Sequence, residues 1–434
     1  MKNKKVYISL TADNLHHGHI KLINEAKKYG DITVGLLTDR AVATHKKLPI
    51  LNFEQRKLIL QNISGIKEVV AQNEWDDSVE IRKLKPDFVI HGDDWLTGKE
   101  SVIRKNVIEE LKKFDGKLIE IPYTKGISSE AISNRNKKVG ISTDQRIRTL
   151  KRSIKNKDLT RIIETHSPIS ALIAENAVAK VNDREIYYDG FWSSSLTDAS
   201  LIGKPDIEVV DISKRLENIN NIFEVTSKPL IMDIDTGGKI EHLNLNIKTI
   251  ERLGISAVIM EDKTGLKKNS LLTDTTNQLQ ESVEIFSEKI KTIKSNQQNQ
   301  DFMVIARIES FILGNGLEDA LMRAEAYLNA GSDGIMIHSK KKNPNEIFEF
   351  SKQFKKNFND VPLVCVPSTY SSIKENELID NGINVVIYAN HLFRAAYPAM
   401  VETANSILKN GRSKEVEDKL TSIKEMMDLI PGTN

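Results

Sequence analysis

Eight short apolar runs recur through the last two thirds of this 434-residue chain, and sequence compatible with helix separates most of them. A short apolar run that is bounded by polar residues indicates a buried strand. Eight strands that alternate with helices predict a (β/α)₈ barrel, in which functional residues follow the carboxyl ends of the strands. The runs comprise residues 162–163, 186–188, 229–232, 257–260, 303–306, 334–337, 363–366 and 385–388.

Charged and polar residues follow most of these runs. Asp233 and Asp235 follow the third run, Glu261 follows the fourth, Arg307 the fifth and His338 the sixth. Carboxylates gathered at one rim suit a hard cation such as Mg²⁺, and an arginine can grip a phosphoryl group bidentately. The pattern predicts a magnesium site that faces a phosphate-binding arginine. The alternative is that these residues only cap the ends of strands.

The first 138 residues show a second alternation of apolar runs and helical segments. This alternation predicts a parallel, Rossmann-like sheet that binds ligands at the carboxyl ends of its strands. His16 and His19 follow the first run, at a strand-to-helix junction where the helix N-terminus favours an anion. Two imidazoles in this position can donate hydrogen bonds to a charged phosphate. The alternative is a solvated histidine cluster.

The charge balance of the chain argues against two classes of partner. Lys and Arg number 62, and Asp and Glu number 60, so we expect neither nucleic acid nor a membrane surface as a partner. No apolar stretch is long enough for a secretory signal or a membrane span, so we expect a cytoplasmic protein. The single cysteine, Cys365, lies in an apolar run, where we expect it to serve as a packing residue.

The motif Glu-Asp-Lys, five residues, Asn-Ser begins at Glu261, and Asp-x-Asp-Thr-Gly precedes it at Asp233. This pattern resembles the phosphoenolpyruvate mutase family, a branch of the isocitrate lyase superfamily of α/β barrels, over residues 150 to 434. The Lys-Lys-Cys-Gly-His string of the carbon–carbon lyases does not occur here. Phosphonopyruvate hydrolase shares most of the same residues, and Asn269 is the choice typical of a mutase at its position.

The resemblance implies that the barrel converts phosphoenolpyruvate into phosphonopyruvate with Mg²⁺. It implies that Asp233 contacts the metal directly, while Asp206, Asp235 and Glu261 act through waters. It also implies a tetramer in which copies exchange terminal helices, and residues 416–427 are amphipathic enough for that role. The implied catalytic residues are Asp206, Lys267, Asn269, Arg307 and His338, and the implied substrate-binding residues are Trp192, Ser193, Ser194, Ser195, Leu196 and Ser270.

Three motifs in the first 138 residues resemble the cytidylyltransferase family: His-x-Gly-His at His16, His-Gly-Asp-Asp-Trp at His91 and Gly-Ile-Ser-Ser-Glu at Gly126. The resemblance implies that this domain binds CTP. Tyr123-Thr124-Lys125 stand where the family has an arginine and a threonine, which leaves open a nucleotide-sensing or purely structural module. The implied nucleotide-binding residues are Thr11, Asp13, His16, His19, Lys46 or Lys47, Arg56, Trp75, Asp94, Ser128 and Ser129.

The two resemblances together predict a cytidylyltransferase-like domain over residues 1–138, a linker over 139–155 and a mutase-like barrel over 156–434. The predicted protein is a bifunctional enzyme of phosphonate biosynthesis. Its barrel forms the carbon–phosphorus bond, and its first domain transfers CMP from CTP to a phosphonate such as 2-aminoethylphosphonate. The alternatives are a mutase with a non-catalytic first domain, and a phosphonopyruvate hydrolase.

Overall fold

The computed structural model describes residues 4–96, 100–122, 140–181, 184–270 and 278–430. Contacts within the chain divide it into two compact units, Met1–Val139 and Gly140–Asn434. Both units are α/β, so the predicted fold class is confirmed for each of them.

The first unit is built on a five-stranded parallel sheet with the strand order β3-β2-β1-β4-β5. Aliphatic side chains on the central strands form its core, and Ile8, Val34 and Leu36 are fully buried there. The strands are β1 Lys5–Leu10, β2 Asp31–Leu37, β3 Ile66–Gln72, β4 Phe88–Gly92 and β5 Lys117–Ile121. The described helices are His17–Ala26, Asp39–Ala43, Phe53–Gln61, Ser78–Leu84 and Ser101–Lys112, with a 3₁₀ turn at Asp93–Trp95.

The strand order of this sheet reverses between β1 and β4. After β1 the chain adds β2 and β3 on one side, and it then returns to place β4 on the other side of β1. In open α/β sheets, ligands bind at such a reversal, outside the carboxyl ends of the strands. The segment with His16 and His19 follows β1, and His91 lies at the end of β4, so the fold brings both motifs to this crevice.

The second unit contains a closed barrel in which eight parallel strands pair around a full circle. Side chains such as Ile162, Ile231, Ile305 and Val364 fill its interior. The barrel strands in order are β6 Thr160–Glu164, β9 Gly190–Ser193, β10 Leu230–Asp233, β11 Ala257–Glu261, β14 Met303–Ile308, β15 Gly334–Ile337, β16 Leu363–Cys365 and β17 Val385–Tyr388.

Helices surround this barrel, and a larger apolar core lies between them and the strands. Two small antiparallel hairpins lie outside the barrel: β7 Val178–Val181 with β8 Arg184–Tyr187, and β12 Lys263–Thr264 with β13 Leu279–Gln280. The described helices are Thr143–Asn156, Pro168–Asn176, Ser195–Leu201, Ile212–Val225, Ile240–Leu253, Val283–Asn296, Ser310–Leu313, Gly316–Asn329, Asn345–Asn357, Glu375–Asp380, His391–Asn410 and Ile423–Leu429, with a 3₁₀ turn at Lys414–Lys419.

The second barrel strand differs from the prediction. The run at 186–188 contributes to β8, which pairs antiparallel with β7 outside the barrel, and the barrel strand is β9 instead. β9 begins with Gly190, where an added Cβ would lie 2.8 Å from the backbone oxygen of Pro229, which directly precedes the neighbouring strand β10. The close approach of the strands therefore favours glycine here, and glycine weakens the apolar signal that identifies a strand.

The predicted linker at 139–155 is also different in the structure. Most of this segment forms the helix Thr143–Asn156, and Ile147, Leu150 and Ile154 are buried in the two barrel cores. Its other faces carry many basic and amide side chains, which explains why the sequence indicated a polar segment. These residues belong to the barrel unit, not to a linker.

Among the described residues, no helix is both long enough and apolar enough to cross a membrane.

Candidate functional site

A cavity lies at the carboxyl ends of the barrel strands, where the sequence predicted the site. Seven of the eight barrel strands or the segments that follow them contribute to its wall. The lining residues are Trp192, Ser194, Ser195, Leu196, Asp206, Asp233, Glu261, Lys267, Asn269, Ser270, Arg307, Met336, His338, Val366, Ser368, Ala389 and Asn390.

Three carboxylates line this cavity, Asp206, Asp233 and Glu261, and a fourth, Asp235, contacts the lining residue Lys267; we call these four the acidic ring. The ammonium of Lys267 lies 3.0 Å from Asp206 Oδ1 and also contacts Asp235 Oδ1. It donates a hydrogen bond to Ser195 Oγ at 2.8 Å, and that hydroxyl donates to Asp233 Oδ2 at 3.1 Å. Burial alone would lower the pKa of Lys267, but the surrounding carboxylates raise it, so the lysine stays charged.

Glu261 has the chemistry expected of a metal-facing carboxylate. It is 1% exposed, and neither of its oxygens accepts a hydrogen bond, although Arg307 Nη2 lies 3.2 Å from Oε2. Burial raises its pKa to about 7 despite the opposing effect of Arg307. A buried carboxylate without hydrogen bonds is costly unless a cation or ordered water satisfies it.

The donor set fits Mg²⁺ bound through few direct protein contacts. In the described ranges, no group of three or more His, Cys, Asp or Glu side chains is arranged to hold a metal by itself. Mg²⁺ usually keeps several waters and takes only one or two carboxylates directly. A site with Asp233 as direct ligand and Asp235 and Glu261 in the next layer is consistent with both observations.

Arg307 faces the acidic ring from β14, and neighbouring side chains fix its guanidinium. Its Nε donates to Glu309 Oε1 at 2.6 Å, and its Nη2 donates to Ser270 Oγ at 2.7 Å. The ammonium of Lys263, which is 2% exposed, lies 3.0 Å from Glu309 Oε2 and holds the same cluster from the other side. The chain thus fixes the plane of the guanidinium before any ligand arrives.

His338 contributes a neutral imidazole to the cavity. It is 4% exposed, and its Nδ1 has no hydrogen-bond partner among the described residues. Burial first, and then the positive charge of Arg307, lower its pKa to about 3. The ring is therefore uncharged at neutral pH and offers one donor and one acceptor to a ligand.

Asp262 supports this arrangement from beneath the rim. It is fully buried, and its carboxylate accepts hydrogen bonds from Glu309 N–H at 2.9 Å, Gln280 Nε2 at 2.8 Å and Tyr327 Oη at 2.8 Å. Arg323 Nη1 lies 3.3 Å from it. Asp262 therefore ties the end of β14 to β13 and to the helix Gly316–Asn329.

The structure brings most of the predicted barrel residues together around the cavity, but Ser193 and Asp235 do not line it. Ser193 does not line the cavity, because its hydroxyl turns away and donates to Asp198 Oδ2 at 2.7 Å. Sequence analysis had assigned Ser193 to the substrate. Asp262 also follows the fourth run, as the sequence indicated, but it lies beneath the rim, and no sequence pattern had given a role to the buried Lys263 or Arg215.

The histidines of the first unit are held in a defined tautomer. Gly18 N–H donates to His16 Nδ1 at 3.1 Å, and His16 N–H donates to His19 Nδ1 at 3.3 Å. Both Nδ1 atoms accept, so in the neutral rings the proton lies on Nε2. Burial and the neighbouring imidazole lower the pKa of His19 to about 4. Each ring can donate from Nε2 at the start of the helix His17–Ala26.

Lys46 and Trp75 lie together beside this crevice. Lys46 Nζ is 4.9 Å from the centre of the Trp75 ring, and the His45 ring stacks on the same indole at 5.0 Å. Asp94 is exposed, and its carboxylate lies 3.7 Å from His91 Nδ1. That Lys46, Trp75 and Asp94 contact a nucleotide stays a prediction.

Two other predicted nucleotide residues support the fold instead. Arg56 is fully buried, and it donates to the carbonyl oxygens of Thr11 and Leu37 and to Asp39 Oδ1, the last at 2.7 Å. The prediction that Arg56 contacts a nucleotide is therefore not supported, since protein acceptors surround its guanidinium. Asp13 Oδ1 accepts Ile50 N–H at 2.6 Å. Ser128 and Ser129 lie outside the described residues.

The closed eight-stranded barrel, with an acidic ring opposite a fixed arginine at its strand ends, places the second unit in the class of (β/α)₈ barrels. The chain belongs to the phosphoenolpyruvate phosphomutase family, whose model matches residues 150–408. The resemblance that the sequence motifs indicated is confirmed. A cytidylyltransferase-like family model matches residues 11–135.

Curated relatives of the barrel include a mutase and a hydrolase. The chain is 38% identical over 289 residues to the phosphoenolpyruvate phosphomutase of Tetrahymena pyriformis, which covers 66% of this chain and 92% of that protein. It is 35% identical over 277 residues to the phosphonopyruvate hydrolase of Variovorax sp. (strain Pal2), which covers 63% of this chain and 94% of that protein.

Solved structures show the same two relationships. The phosphoenolpyruvate phosphomutase from Streptomyces platensis subsp. rosaceus matches with a TM-score of 0.60 and 34% identity, over 65% of this chain and 93% of that one. A phosphonopyruvate hydrolase complexed with oxalate and Mg++ matches with a TM-score of 0.58 and 34% identity, over 67% of this chain and 95% of that one.

Proposed function

We propose that the barrel isomerises phosphoenolpyruvate to phosphonopyruvate, and that the first unit transfers CMP from CTP to a phosphonate such as 2-aminoethylphosphonate. The observation that carries the barrel assignment is the fixed guanidinium of Arg307 opposite the acidic ring in one cavity. This arrangement pairs a phosphoryl-binding cation with a metal-binding carboxylate set.

The substrate has two charged parts, and the cavity offers a partner for each. The guanidinium of Arg307 binds the phosphoryl group through charge-assisted hydrogen bonds, and the neutral His338 donates one further hydrogen bond to it. The pyruvyl oxygens are assigned to the backbone N–H groups of Ser194, Ser195 and Leu196. The helix Ser195–Leu201 begins there, so its first N–H groups have no acceptor within the helix.

The reaction breaks the bond between phosphorus and the enol oxygen and forms a bond between phosphorus and C3 of the same molecule. The enolate electrons move to phosphorus, the enol oxygen becomes a ketone, and no proton is exchanged. A loose, metaphosphate-like transition state needs positioning and charge stabilisation more than a protein nucleophile. Bound Mg²⁺ supplies charge stabilisation to the enolate and carboxylate oxygens.

Water would divert this transfer to pyruvate and phosphate. Lys267 and Asn269, on the segment after β11, both reach Asp206: Lys267 Nζ lies 3.0 Å from Oδ1, and Asn269 Nδ2 donates to Oδ2 at 2.9 Å. These contacts help to hold the segment against the cavity, together with the bond from Arg307 to Ser270, which supports its proposed role in excluding water.

Phosphorus NMR with phosphonopyruvate and Mg²⁺ tests the barrel assignment. The proposal predicts that the phosphonopyruvate signal is replaced by that of phosphoenolpyruvate, because formation of the carbon–phosphorus bond is uphill. Phosphate as the first product would instead assign the barrel to phosphonopyruvate hydrolysis. No turnover would reject both activities.

The geometry of the first unit supports transfer of CMP. Two neutral imidazoles present Nε2 donors at a helix start beside the strand-order reversal, where phosphate charge would build during the transfer. Incubation with CTP, Mg²⁺ and 2-aminoethylphosphonate is expected to release pyrophosphate, and His16→Ala is expected to stop that release. CTP binding without pyrophosphate release would favour a nucleotide-sensing module.

We also propose that copies of this chain associate through the helix His391–Asn410. None of its 20 residues is buried, and this exposure includes large apolar side chains: Tyr397 is 65% exposed and Leu408 is 82% exposed. An apolar helix face of this length would be covered by a second copy of the chain. Analytical ultracentrifugation is expected to show an oligomer, and a concentration-independent monomer would contradict this.

A further inference from the structure

Arg215 is a buried arginine that reaches the acidic ring from outside the barrel. It lies on the helix Ile212–Val225 and is 3% exposed. Its Nε donates to Asp198 Oδ2 at 2.8 Å, and its Nη1 lies 3.4 Å from Asp235 Oδ2. Its Nη2 lies 3.4 Å from the carbonyl oxygen of Ser193, at the end of β9.

Asp235 is therefore held between two cations. Arg215 faces its Oδ2, and Lys267 contacts its Oδ1. The backbone at Asp235 has φ +54°, a left-handed conformation that is uncommon outside glycine, asparagine and aspartate. Asp235 N–H also donates to Asp233 Oδ1 at 3.0 Å. A displacement of Asp235 would therefore also shift the carboxylate of Asp233.

Arg215 itself does not line the strand-end cavity. It lines a second cavity of about 240 Å³, whose wall also includes Asp198, Ile202 and Lys214. Any effect of Arg215 on a ligand of the barrel must therefore pass through Asp235 or β9. The second cavity also gives a small cation a route to the space that the guanidinium fills.

We propose that Arg215 is a positioning residue for the barrel reaction: its guanidinium fixes Asp235 and Asp198 from behind and sets the charge of the acidic ring. This inference rests on the proposed metal-assisted isomerisation. Replacement of a residue that lies behind the direct ligands of a metal site commonly lowers activity about 10–100-fold. Arg215 also reduces the net negative charge of the ring, so its removal would strengthen the attraction for a dication.

The test uses the full chain with Arg215→Ala, and Lys214→Ala is the matched control. Lys214 is the adjacent residue, and it forms an exposed ion pair with Glu217 at 2.5 Å, so its removal changes the net charge equally. In Arg215→Ala we expect kcat to fall about 10–100-fold while KM stays near the wild-type value. Mn²⁺ is expected to bind about tenfold more tightly, as measured by titration calorimetry.

Millimolar guanidinium chloride distinguishes positioning from general support of the fold. Entering through the second cavity, guanidinium is expected to restore kcat and to return the Kd for Mn²⁺ towards the wild-type value in Arg215→Ala only. Arg215→Lys keeps the charge but cannot span both carboxylates, so we expect an intermediate kcat.

Three outcomes would overturn the inference: kcat equal to that of Lys214→Ala, weaker binding of Mn²⁺, or a fall in kcat that guanidinium does not reverse. If the wild-type barrel turns over no phosphonopyruvate, the proposed function fails. In that case the Mn²⁺ titration with and without guanidinium still decides the role of Arg215 in the acidic ring.

Discussion

Replacing Asn269 by alanine removes one of the contacts that hold the segment after β11 against the cavity. Asn269 Nδ2 donates to Asp206 Oδ2 at 2.9 Å. Burial alone would raise the pKa of Asp206, but Lys267 and Asn269 lower it overall, so the acceptor is ionised at neutral pH. A hydrogen bond to a charged group contributes about 1.5–3 kcal/mol.

That free energy corresponds to a factor of roughly 10 to 100 in the population of the held segment. Lys267 keeps its own contact with Asp206, so the segment is loosened but not released. Because the side reaction needs only water, the share of phosphate among the products is expected to rise about tenfold. The rate of substrate consumption should change less than this share.

The assay follows phosphonopyruvate by phosphorus NMR and compares the initial amounts of phosphate and phosphoenolpyruvate. Gln278→Ala is the matched control. Gln278 Nε2 donates to the carbonyl oxygen of Leu266 at 2.7 Å, so this substitution removes a hydrogen bond of similar length nearby. The control is expected to keep the wild-type product ratio. An unchanged ratio in Asn269→Ala would refute the role of this contact in excluding water.

Three further changes test other parts of the molecule. Asp233→Ala removes the proposed direct metal ligand and is expected to abolish isomerisation; near-normal turnover would reject the site. Arg56→Met removes a fully buried guanidinium that pairs with the partly buried Asp39, and it is expected to lower the unfolding free energy by about 3 kcal/mol, measured by urea denaturation; an unchanged midpoint would contradict this role in the fold. His19 has a folded-state pKa of about 4, below its value in an unfolded chain, so protons favour the unfolded state and stability falls as pH drops from about 6.5 to 4. An NMR titration of His19 with a midpoint near 6.5 would contradict this.

The barrel and most of its rim could be predicted because two independent patterns agree there. Short apolar runs mark the strands, and polar residues directly after them mark the rim, as at Asp233, Glu261 and Arg307. The second strand was missed because Gly190 interrupts the apolar signal, while the nearby hairpin strand Arg184–Tyr187 carries a stronger one.

Buried charges were the least predictable part of the candidate site. Arg56, Lys263 and Arg215 are 0–3% exposed, yet the sequence predicted Arg56 as a nucleotide contact and gave no buried role to Lys263 or Arg215. Their partners lie far away along the chain: Arg215 meets Asp235 from a neighbouring helix, and Lys263 meets Glu309 from another strand. Local patterns carry no information about such pairs, so only the fold identifies them.

The central claim is that the phosphoryl group moves between two atoms of one pyruvate enolate inside a closed cavity. An isotope crossover experiment tests it most directly. Phosphonopyruvate that carries ¹³C in its pyruvyl part and ¹⁸O in its phosphoryl part is mixed with unlabelled phosphonopyruvate, and the phosphoenolpyruvate formed is analysed by mass spectrometry. The account predicts that both labels stay together in the product. Product molecules with one label only would show that the phosphoryl group leaves the cavity or passes between substrate molecules, and they would contradict the account.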